Sequence, residues 1–365
     1  MAQRIPLNDL VRQNQLLRSE LVGAAQRVIE RGWYVLGSEG VEFEKAFAKY
    51  CGVAHAVGAA NGTDAIELAL RAVGVGAGHR VATVANAGYY ASTSIRAIGA
   101  HPVYVDVSPD NYLMSIESLR QQLGHNAVQA VIVTHLYGRL ADIEVIVAIC
   151  EPLGIPVVED CAQAHGATRN GKTAGSFGAA GCFSFYPTKN LGALGDGGAI
   201  TTSDDAIAES LRQLRQYGWD RKYRVSRAGG RNSRLDEMQA AFLFSKLPHL
   251  DRWNEARRTI ARRYSEEIRN SRLKCPKDFG ADNVAHLFVV RCDDRDGFQK
   301  HLEAHGVSSD IHYPIPDHLQ PAYQNVAADG LMATERLAKE IITIPCFAEM
   351  EEDEIGAVIS AANSW

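Results

Sequence analysis

Lys189 and Asp160 are the side chains of this sequence best suited to chemistry on a carbonyl compound. Asp160 ends the apolar run Ile155-Pro-Val-Val-Glu-Asp160, and Lys189 follows 29 residues later, between an aromatic run and a glycine-rich stretch. A lysine amine condenses with carbonyl carbons, and ligands of open α/β sheets bind beyond the carboxyl ends of the strands. Taken singly, each feature is also typical of a surface lysine or of an acid that caps a helix.

Two further segments supply groups that would bind a phosphate. Ser184 offers a hydroxyl five residues before Lys189, and Asn61-Gly62-Thr63-Asp64 precedes a helical pattern. The backbone N–H groups at the start of a helix form a ready anion site. A lysine for a Schiff base, an acid for a pyridinium nitrogen and donors for a phosphate are what pyridoxal phosphate requires. The residues therefore predict a site for that cofactor.

The elements that must position these side chains alternate between strand and helix. Apolar runs at 80–85, 102–107, 128–133 and 155–159 are separated by helical text. Because these runs are apolar throughout rather than alternating, they indicate parallel strands that are covered on both faces. A long amphipathic helix starts at residue 250, and a smaller α+β pattern follows it. We therefore predict a large domain at 1–250 and a small one at 251–365, with the N-terminal segment packed on either.

Composition excludes several classes of protein. The chain has 365 residues, 46% of them hydrophobic and 22% charged, and its net charge is -5. These values are typical of a globular protein without the basic surface of a nucleic-acid binder. No apolar run reaches about 18 residues and the first residues lack an apolar signal core, so we expect neither a membrane partner nor secretion.

Cysteine usage and motif searches narrow the chemistry further. The seven cysteines are scattered and form no C-x-x-C pair, which favours free thiols in a reducing cytoplasm and no structural zinc. We expect no metal site. The glycine-rich stretch after Lys189 lacks the lysine pattern of a P-loop, and neither a dinucleotide-binding fingerprint nor a G-x-S-x-G elbow is present.

Four stretches of the sequence together resemble a known family. Its most specific stretches are Gly62-Thr63-Asp64-Ala65, Glu159-Asp-Cys-Ala-Gln-Ala-His-Gly166, Ser184-Phe-Tyr-Pro-Thr-Lys-Asn-Leu-Gly192 and Gly230-Arg-Asn-Ser-Arg-Leu-Asp-Glu237. Over nearly its whole length the chain is similar to the DegT/DnrJ/EryC1/StrS family of pyridoxal-phosphate-dependent nucleotide-sugar aminotransferases. The resemblance implies an α/β fold of fold type I: a mixed, mostly parallel seven-stranded sheet flanked by helices, plus a smaller C-terminal α+β domain.

The resemblance also implies roles for single residues. Lys189 would bond covalently to the cofactor and then move a proton, while Asp160 would pair with the pyridinium nitrogen. Gln163 would lie near the ring. Gly62, Thr63 and Ser184 would hold the phosphate, and Asn232 would reach the phosphate of the neighbouring subunit. The active sites would therefore be shared between the subunits of a homodimer.

One stretch departs from the family pattern where the ring-stacking residue is expected. Family members often carry Asn-Thr-aromatic there, whereas this chain has Ala85-Asn-Ala-Gly-Tyr-Tyr90. We assign the stacking role to Tyr89. Tyr90 is the alternative if the alignment shifts by one residue, and a tyrosine of the core is the structural alternative.

The substrate side is assigned by the same resemblance, with a structural role as the alternative for each residue. The segment that contains His312, Tyr313 and His318 approaches the sugar nucleotide in similar proteins, and we also assign Tyr186 to the substrate. Arg227, Arg231 and Arg234 cluster near Asn232, where arginines would attract a diphosphate. Of these arginines, we select Arg234 as a substrate residue.

The function predicted from the resemblance is transamination of a nucleotide-linked keto-sugar. The run at 186–193 looks most like members that aminate C-3 of dTDP-linked 3-oxo-6-deoxyhexoses, with L-glutamate as donor, for O-antigen, S-layer or antibiotic sugars. Two alternatives stay open: amination at C-4 of a 4-keto sugar, and a non-catalytic regulatory protein that binds the cofactor. Lys189 favours an enzyme, because Schiff-base chemistry needs its amine, and disfavours a dehydratase relative with histidine at that position.

Overall fold

The structure, a computed structural model, describes residues 4–323 and 330–365. In this part of the chain the helices are α1 (Leu10–Leu16), α2 (Arg18–Arg31), α3 (Ser38–Cys51), α4 (Gly62–Ala72), α5 (Tyr90–Ala97), α6 (Ile116–His125), α7 (Ile143–Cys150), α8 (Asp205–Leu214), α9 (Glu237–Lys246), α10 (Leu250–Glu267), α11 (Arg295–Ala304), α12 (Met332–Glu340) and α13 (Glu352–Asn363). The strands are β1 (His55–Ala59), β2 (Arg80–Val84), β3 (His101–Val105), β4 (Ala130–Thr134), β5 (Val157–Asp160), β6 (Thr168–Arg169), β7 (Lys172–Thr173), β8 (Ala180–Ser184), β9 (Gly198–Thr202), β10 (Trp219–Arg221), β11 (Arg224–Val225), β12 (Phe288–Arg291) and β13 (Ile341–Ile344).

A seven-stranded sheet forms the centre of the molecule, in the order β1-β9-β8-β5-β4-β2-β3. The pairs from β8 to β3 are parallel, whereas β9 runs antiparallel to both β8 and β1. Each parallel pair requires a crossover, which the helices between the strands provide. The predicted sheet, mixed but mostly parallel and flanked by helices, is confirmed.

Both faces of the sheet are covered, as the apolar strands predict. Neighbouring strand residues point to opposite faces: Val131 packs in one buried cluster with residues of α6 and α7, and Ile132 packs in another with residues of α4, α5 and α8. A third cluster joins α3 and α9 to the aromatic end of β8, with Phe43, Phe47 and Phe183 fully buried. The parallel strands therefore end on a scaffold that is packed from both sides.

After α10 the chain builds a smaller α+β arrangement. The strands β12 and β13 pair in antiparallel fashion, and their residues share a core with α10, α11 and α13. Ile5 joins that core and bridges to Val307, so the N-terminal residues pack on the C-terminal part of the chain. Val289 and Ile341 belong instead to a cluster of the large sheet. The domain division at residue 250 stays a prediction.

Among the described residues, no helix combines the length and the apolar character needed to cross a bilayer.

Candidate active site

A cavity of about 970 Å³ opens where the parallel strands end. The large sheet contributes Thr134, Asp160 and Ser184, the last residues of β4, β5 and β8, and the start of α4 closes one side. The opposite wall comes from the C-terminal part of the chain, at 286–287, 310–313 and 343–346. This position is the one that open α/β sheets use for ligands.

The structure brings most of the predicted site residues into this cavity. The predicted residues that line it are Gly62, Thr63, Asp160, Gln163, Ser184, Tyr186, Lys189, His312 and Tyr313. The predicted residues that do not line it are Tyr89, Asn232 and Arg234. The role of each residue stays a prediction, because position alone does not show what a side chain binds.

Lys189 lies in the tight turn that follows β8. Its N–H donates to the carbonyl oxygen of Tyr186 at 2.9 Å, which fixes the backbone of the turn. Part of the side chain is open to the cavity, but protein surrounds the amine. This burial lowers the pKa of Lys189 to about 8, and the charge of Asp160 acts in the opposite direction. A lysine amine with a pKa near 8 is a usable base near neutral pH, unlike one near ~10.4.

Asp160 is a buried carboxyl group at the end of β5. Its Oδ1 accepts the N–H of Ala162 at 3.1 Å, and its Oδ2 accepts the hydroxyl of Thr134 at 3.3 Å. Thr134 is the register partner of Asp160 on β4, so the two side chains leave the sheet together. Burial raises the pKa of Asp160, while these hydrogen bonds and the Lys189 charge act in the opposite direction. In the described chain this carboxylate has no ion-pair partner, and a cationic ring nitrogen would supply one.

The start of α4 and Ser184 form a narrow pocket for an anion. Asn61 caps the helix by accepting the N–H of Asp64 at 2.8 Å, and Gly62 and Thr63 are its first residues. A Cβ atom on Gly62 would lie 2.6 Å from the Cβ of Ser184, so glycine is the residue that lets the helix approach the strand. Free N–H groups and the positive end of the helix dipole favour a phosphate here.

Gln163 and Tyr313 connect the two walls of the cavity. The side-chain oxygen of Gln163 accepts the N–H of Tyr137 at 2.6 Å, and its Nε2 donates to the hydroxyl of Tyr313 at 3.2 Å. His312 precedes Tyr313, and its Nδ1 lies 2.9 Å from the hydroxyl of Thr343. Burial lowers the pKa of His312, which keeps the ring neutral near pH 7. Tyr186 is 53% exposed at the mouth of the cavity.

Of the two adjacent tyrosines, the structure places Tyr90 in the cavity wall and Tyr89 outside it. Tyr89 caps α5 with φ 69°, a left-handed conformation, and its ring stacks on Tyr323 at 5.0 Å. Its N–H donates to Asp317 at 3.0 Å. Tyr90 lines the cavity with its ring edge-on to Tyr313. The assignment of ring stacking to Tyr89 is therefore replaced by its alternative, Tyr90, as the candidate.

The predicted arginine cluster lies outside the cavity of its own chain. Asn232 is exposed and bridges to Gln216, while the Arg234 guanidinium lies over the ring of Tyr217 at 5.9 Å. Arg231 forms an ion pair with Glu67. His318 is buried and bonds to Glu335 at 3.1 Å, away from the cavity. A single chain thus leaves Asn232 and Arg234 without a place in its own cavity.

A buried trio of possible metal ligands, His135, Glu159 and Cys161, lies behind the active edge of the sheet. His135 Nδ1 accepts the N–H of Ala141 at 3.1 Å, so its Nε2 carries the hydrogen and donates to Glu159 at 3.0 Å. The Glu159 carboxylate also accepts N–H groups of the 175–178 turn. These bonds use both ring nitrogens of His135 and both oxygens of Glu159, which gives these two residues a structural role.

The cavity residues that the sequence analysis did not assign to the site include Thr134, His286 and Arg257. Thr134 directly follows a predicted strand that neighbours the Asp160 strand, so its position was available to the same reasoning. Arg257 lies at helical spacing from Trp253 and Ile260 on the buried face of α10. His286 carried no signal, because it lies within an apolar run.

The residues present fit pyridoxal phosphate. A desolvated amine, a buried carboxylate without an ion-pair partner and a helix start narrowed by Gly62 face one cavity, and these are the groups that the cofactor requires.

Comparison with known proteins identifies the family. The family model for DegT/DnrJ/EryC1/StrS aminotransferases matches residues 15–363. The chain is 44% identical, over 99% of both chains, to the dTDP-3-amino-3,6-dideoxy-α-D-galactopyranose transaminase of Aneurinibacillus thermoaerophilus. The solved structure of S. venezuelae DesV, in complex with a reaction intermediate, matches with a TM-score of 0.96 and 38% identity and covers 100% of this chain and 99% of that one. NtdA from Bacillus subtilis, solved with bound cofactor PMP, matches with a TM-score of 0.93 and 26% identity over 99% of this chain and 85% of that one.

These similarities extend over the whole described cavity and confirm the fold and the cofactor predicted from the sequence. The chain belongs to the DegT/DnrJ/EryC1/StrS aminotransferase family and is a pyridoxal-phosphate-dependent aminotransferase.

Proposed function

We propose that this enzyme transfers the amino group of L-glutamate to C-3 of a dTDP-linked 3-oxo-6-deoxyhexose. The observation that carries the proposal is that Lys189 and Asp160 share one cavity with the anion pocket at Gly62 and Ser184. The 44% identity to a dTDP-3-amino-sugar transaminase over nearly the full length supports a nucleotide sugar and the C-3 position.

Bound pyridoxal phosphate would supply an electrophilic carbon for amines and a ring that withdraws electrons from the carbon next to the bound nitrogen. Asp160 would hold the proton on the ring nitrogen, since its buried carboxylate gains a cationic partner there. The N–H groups of Gly62 and Thr63 and the hydroxyl of Ser184 would bind the phosphate. These groups are preorganised, because the helix cap and the strand end are part of the scaffold.

Lys189 would carry the proton in both halves of the reaction. Its neutral amine Nζ, with a pKa of about 8, would take the α-proton of the amino acid donor. After the keto acid leaves, the same atom would give a proton to C-3 of the sugar. Because Lys189 approaches from one side of the cavity only, the new C–H bond would form on one face.

The sugar nucleotide would enter from the side of Tyr186, His312 and Tyr313. His312 is neutral near pH 7 because burial lowers its pKa, so it would act as a hydrogen-bond partner rather than as a charge. Tyr90 would contact the cofactor ring from the opposite wall. The dTDP nucleotide of the proposal is supported by a relative rather than by a residue of the cavity.

We also propose that the enzyme works as a homodimer in a reducing compartment such as the cytoplasm. Asn232 and Arg234 have no place in the cavity of their own chain, and Trp33 and Tyr34 are 60% and 54% exposed, which supports a partner subunit at this side. All seven cysteines are free thiols. Sedimentation of the cofactor-loaded enzyme would measure the subunit number.

The test is the visible absorption spectrum of the protein with pyridoxal phosphate, before and after addition of glutamate. We expect a visible band from the lysine-bound cofactor, which glutamate removes as the amino group moves to the cofactor. The aminated enzyme is then offered 3-keto and 4-keto dTDP-sugars, with product analysis by mass spectrometry and NMR. A Lys189→Ala variant should bind the cofactor without that band and form no product.

Three outcomes would contradict parts of the proposal. A product from the 4-keto sugar alone would move the reaction to C-4. A band that neither glutamate nor another amino acid changes would favour the regulatory, binding-only alternative. Full activity of Lys189→Ala would refute the assignment of the proton carrier.

A further inference from the structure

Arg257 is a buried arginine on the wall of the active-site cavity that the mechanism above does not use. It lies on α10 and is 4% exposed, and no other arginine in the described residues is buried. Its Nη1 donates to the carbonyl oxygens of Cys346 at 2.6 Å and His286 at 3.3 Å. Two neutral carbonyl groups therefore hold one end of a charged side chain.

No carboxylate in the described residues pairs directly with Arg257, and the charge of Glu349 acts on it only from beyond ion-pair distance. Two half-buried arginines elsewhere pair with a carboxylate: Arg12 bonds to Glu354 at 2.7 Å and Arg291 to Glu340 at 2.7 Å. Among the residues that the structure describes, none forms an ion pair with Arg257, and none accepts a hydrogen bond from its Nε or Nη2. Burial lowers the pKa of Arg257, and the effects of Cys346 and Glu349 in the opposite direction are smaller. A buried cation without a paired anion is unfavourable unless a ligand supplies that anion.

The position of Arg257 relative to Lys189 restricts what that ligand is. Lys189 and Arg257 are the only lysine or arginine residues on the described cavity wall. Both lie near the ring of His286, since after burial the charges of Lys189 and Arg257 lower the pKa of that histidine. The phosphate pocket is formed by the start of α4 and the end of β8, whereas Arg257 lies on α10. An anionic group bound by Arg257 would therefore lie beside His286, in the same cavity as Lys189.

We propose that Arg257 binds a carboxylate of the amino acid donor. The inference rests on the proposed function, because it assumes that an amino acid reacts at Lys189. The Nε–H and Nη2–H of a guanidinium form a planar fork that matches the two oxygens of a carboxylate. Since Nη1 is already fixed by two carbonyl groups, the fork is oriented before the donor arrives.

The experiment separates the two half-reactions of the cofactor-loaded enzyme. Single-turnover spectra give the glutamate concentration for half-maximal rate in the first half, and the rate with the keto sugar in the second. For Arg257→Lys, which keeps a charge but loses the fork, we expect a half-maximal glutamate concentration about 10- to 100-fold higher. The second half should change by less than about threefold. Arg262→Lys, a change at a half-buried arginine of the same helix that does not line the cavity, is the matched control.

Two further experiments test the inference. The first requires no turnover, and the second requires no variant. Calorimetric titration of the loaded enzyme with glutarate, a dicarboxylate without an amino group, should show weaker binding in Arg257→Lys. With the unmodified enzyme, the two monoamides of glutamate are compared as donors. Loss of reaction with one monoamide identifies the carboxylate that the site requires, and the Arg257→Lys titration tests whether Arg257 binds it. Equal reaction of both monoamides and glutamate overturns the inference.

The remaining outcomes are also decisive. If both half-reactions of Arg257→Lys slow to the same extent, Arg257 acts only by holding the Cys346 and His286 segments, and the inference is wrong. It is also wrong if only the half-reaction with the sugar is weakened, because the anion is then the diphosphate. An unmodified enzyme that is inert to glutamate and to other amino acids refutes the proposed function itself, which is a different result.

Discussion

Replacing Gly62 by alanine places a methyl group between the start of α4 and the end of β8. The added Cβ would lie 2.6 Å from the Cβ of Ser184, 3.1 Å from its Cα and 3.3 Å from its hydroxyl oxygen. Gly62 is the first residue of α4 and its φ is not in the left-handed region, so the backbone itself accepts alanine. The whole effect of the substitution therefore comes from the contact with Ser184.

The contact sets the size of the effect. Carbon atoms in contact lie about 3.5–4.0 Å apart, so Ser184 or the helix must move by about 1 Å. Overpacking of this kind costs about 1–3 kcal/mol. Ser184 would move away in the cofactor-free protein and would have to return to bind the phosphate. We therefore expect the loss of unfolding free energy and the loss of cofactor-binding free energy to sum to about 1–3 kcal/mol. If the whole loss affects binding, the Kd for the cofactor rises roughly 5- to 150-fold.

Denaturant titration of the cofactor-free protein and spectroscopic titration with pyridoxal phosphate measure the two parts. Ser184→Gly, added to Gly62→Ala, removes the atom in the closest contact and should recover the unfolding free energy. Ser184→Ala keeps that atom and should not. Gly356→Ala is the control for a glycine in a helix, because its Cβ meets nothing within 4 Å, and it should stabilise the protein by about 0.5–1 kcal/mol. Wild-type stability together with wild-type cofactor affinity in Gly62→Ala would refute the reasoning.

Two further predictions concern titration. In the cofactor-free protein, modification of Lys189 by an amine-reactive reagent, followed by peptide mapping, should be half-maximal near pH 8, because burial lowers its pKa to about 8; a midpoint near ~10.4 would contradict this. Burial also raises the pKa of Asp317 to about 7, above its value near ~3.9 in the unfolded chain. Protonated Asp317 thus favours the folded state, and this contribution, fully present below about pH 4, is lost as the pH rises through 7. Asp317→Asn should flatten the pH dependence of the unfolding free energy between pH 4 and 7 in denaturant titrations, and an unchanged dependence would exclude Asp317 as its source.

The part of the site that the sequence could predict is the part built on consecutive strands. Asp160 ends one strand and Lys189 follows another, and both strands can be recognised from their apolar residues. Because these strands are parallel neighbours, their carboxyl ends lie at one edge of the sheet. The phosphate pocket follows from a helix start with a capping asparagine. In each case the local pattern determines both the element and the direction in which the side chain leaves it.

Tyr89 and Tyr90 show the limit of such reasoning. Which of two adjacent tyrosines reaches the cavity depends on the left-handed φ of Tyr89, and that conformation depends on the bond from its N–H to Asp317, more than 200 residues later. A contact so distant in sequence has no local signature. The same holds for the wall at His312 and Tyr313, which only the tertiary structure brings opposite Asp160 and Gln163.

Arg257 differs from these residues because the sequence places it on a buried helix face but does not show what it would bind. The spacing of Trp253, Ile260 and Tyr264 defines the buried face of α10, and Arg257 lies on that face. An arginine among apolar residues at helical spacing is unfavourable for folding unless a partner neutralises it. The sequence thus marks a residue that needs an anion, but only the structure shows that this face of the helix meets the cavity next to Lys189. The same placement that makes Arg257 costly to the folded chain makes it useful to an enzyme whose donor arrives with a carboxylate.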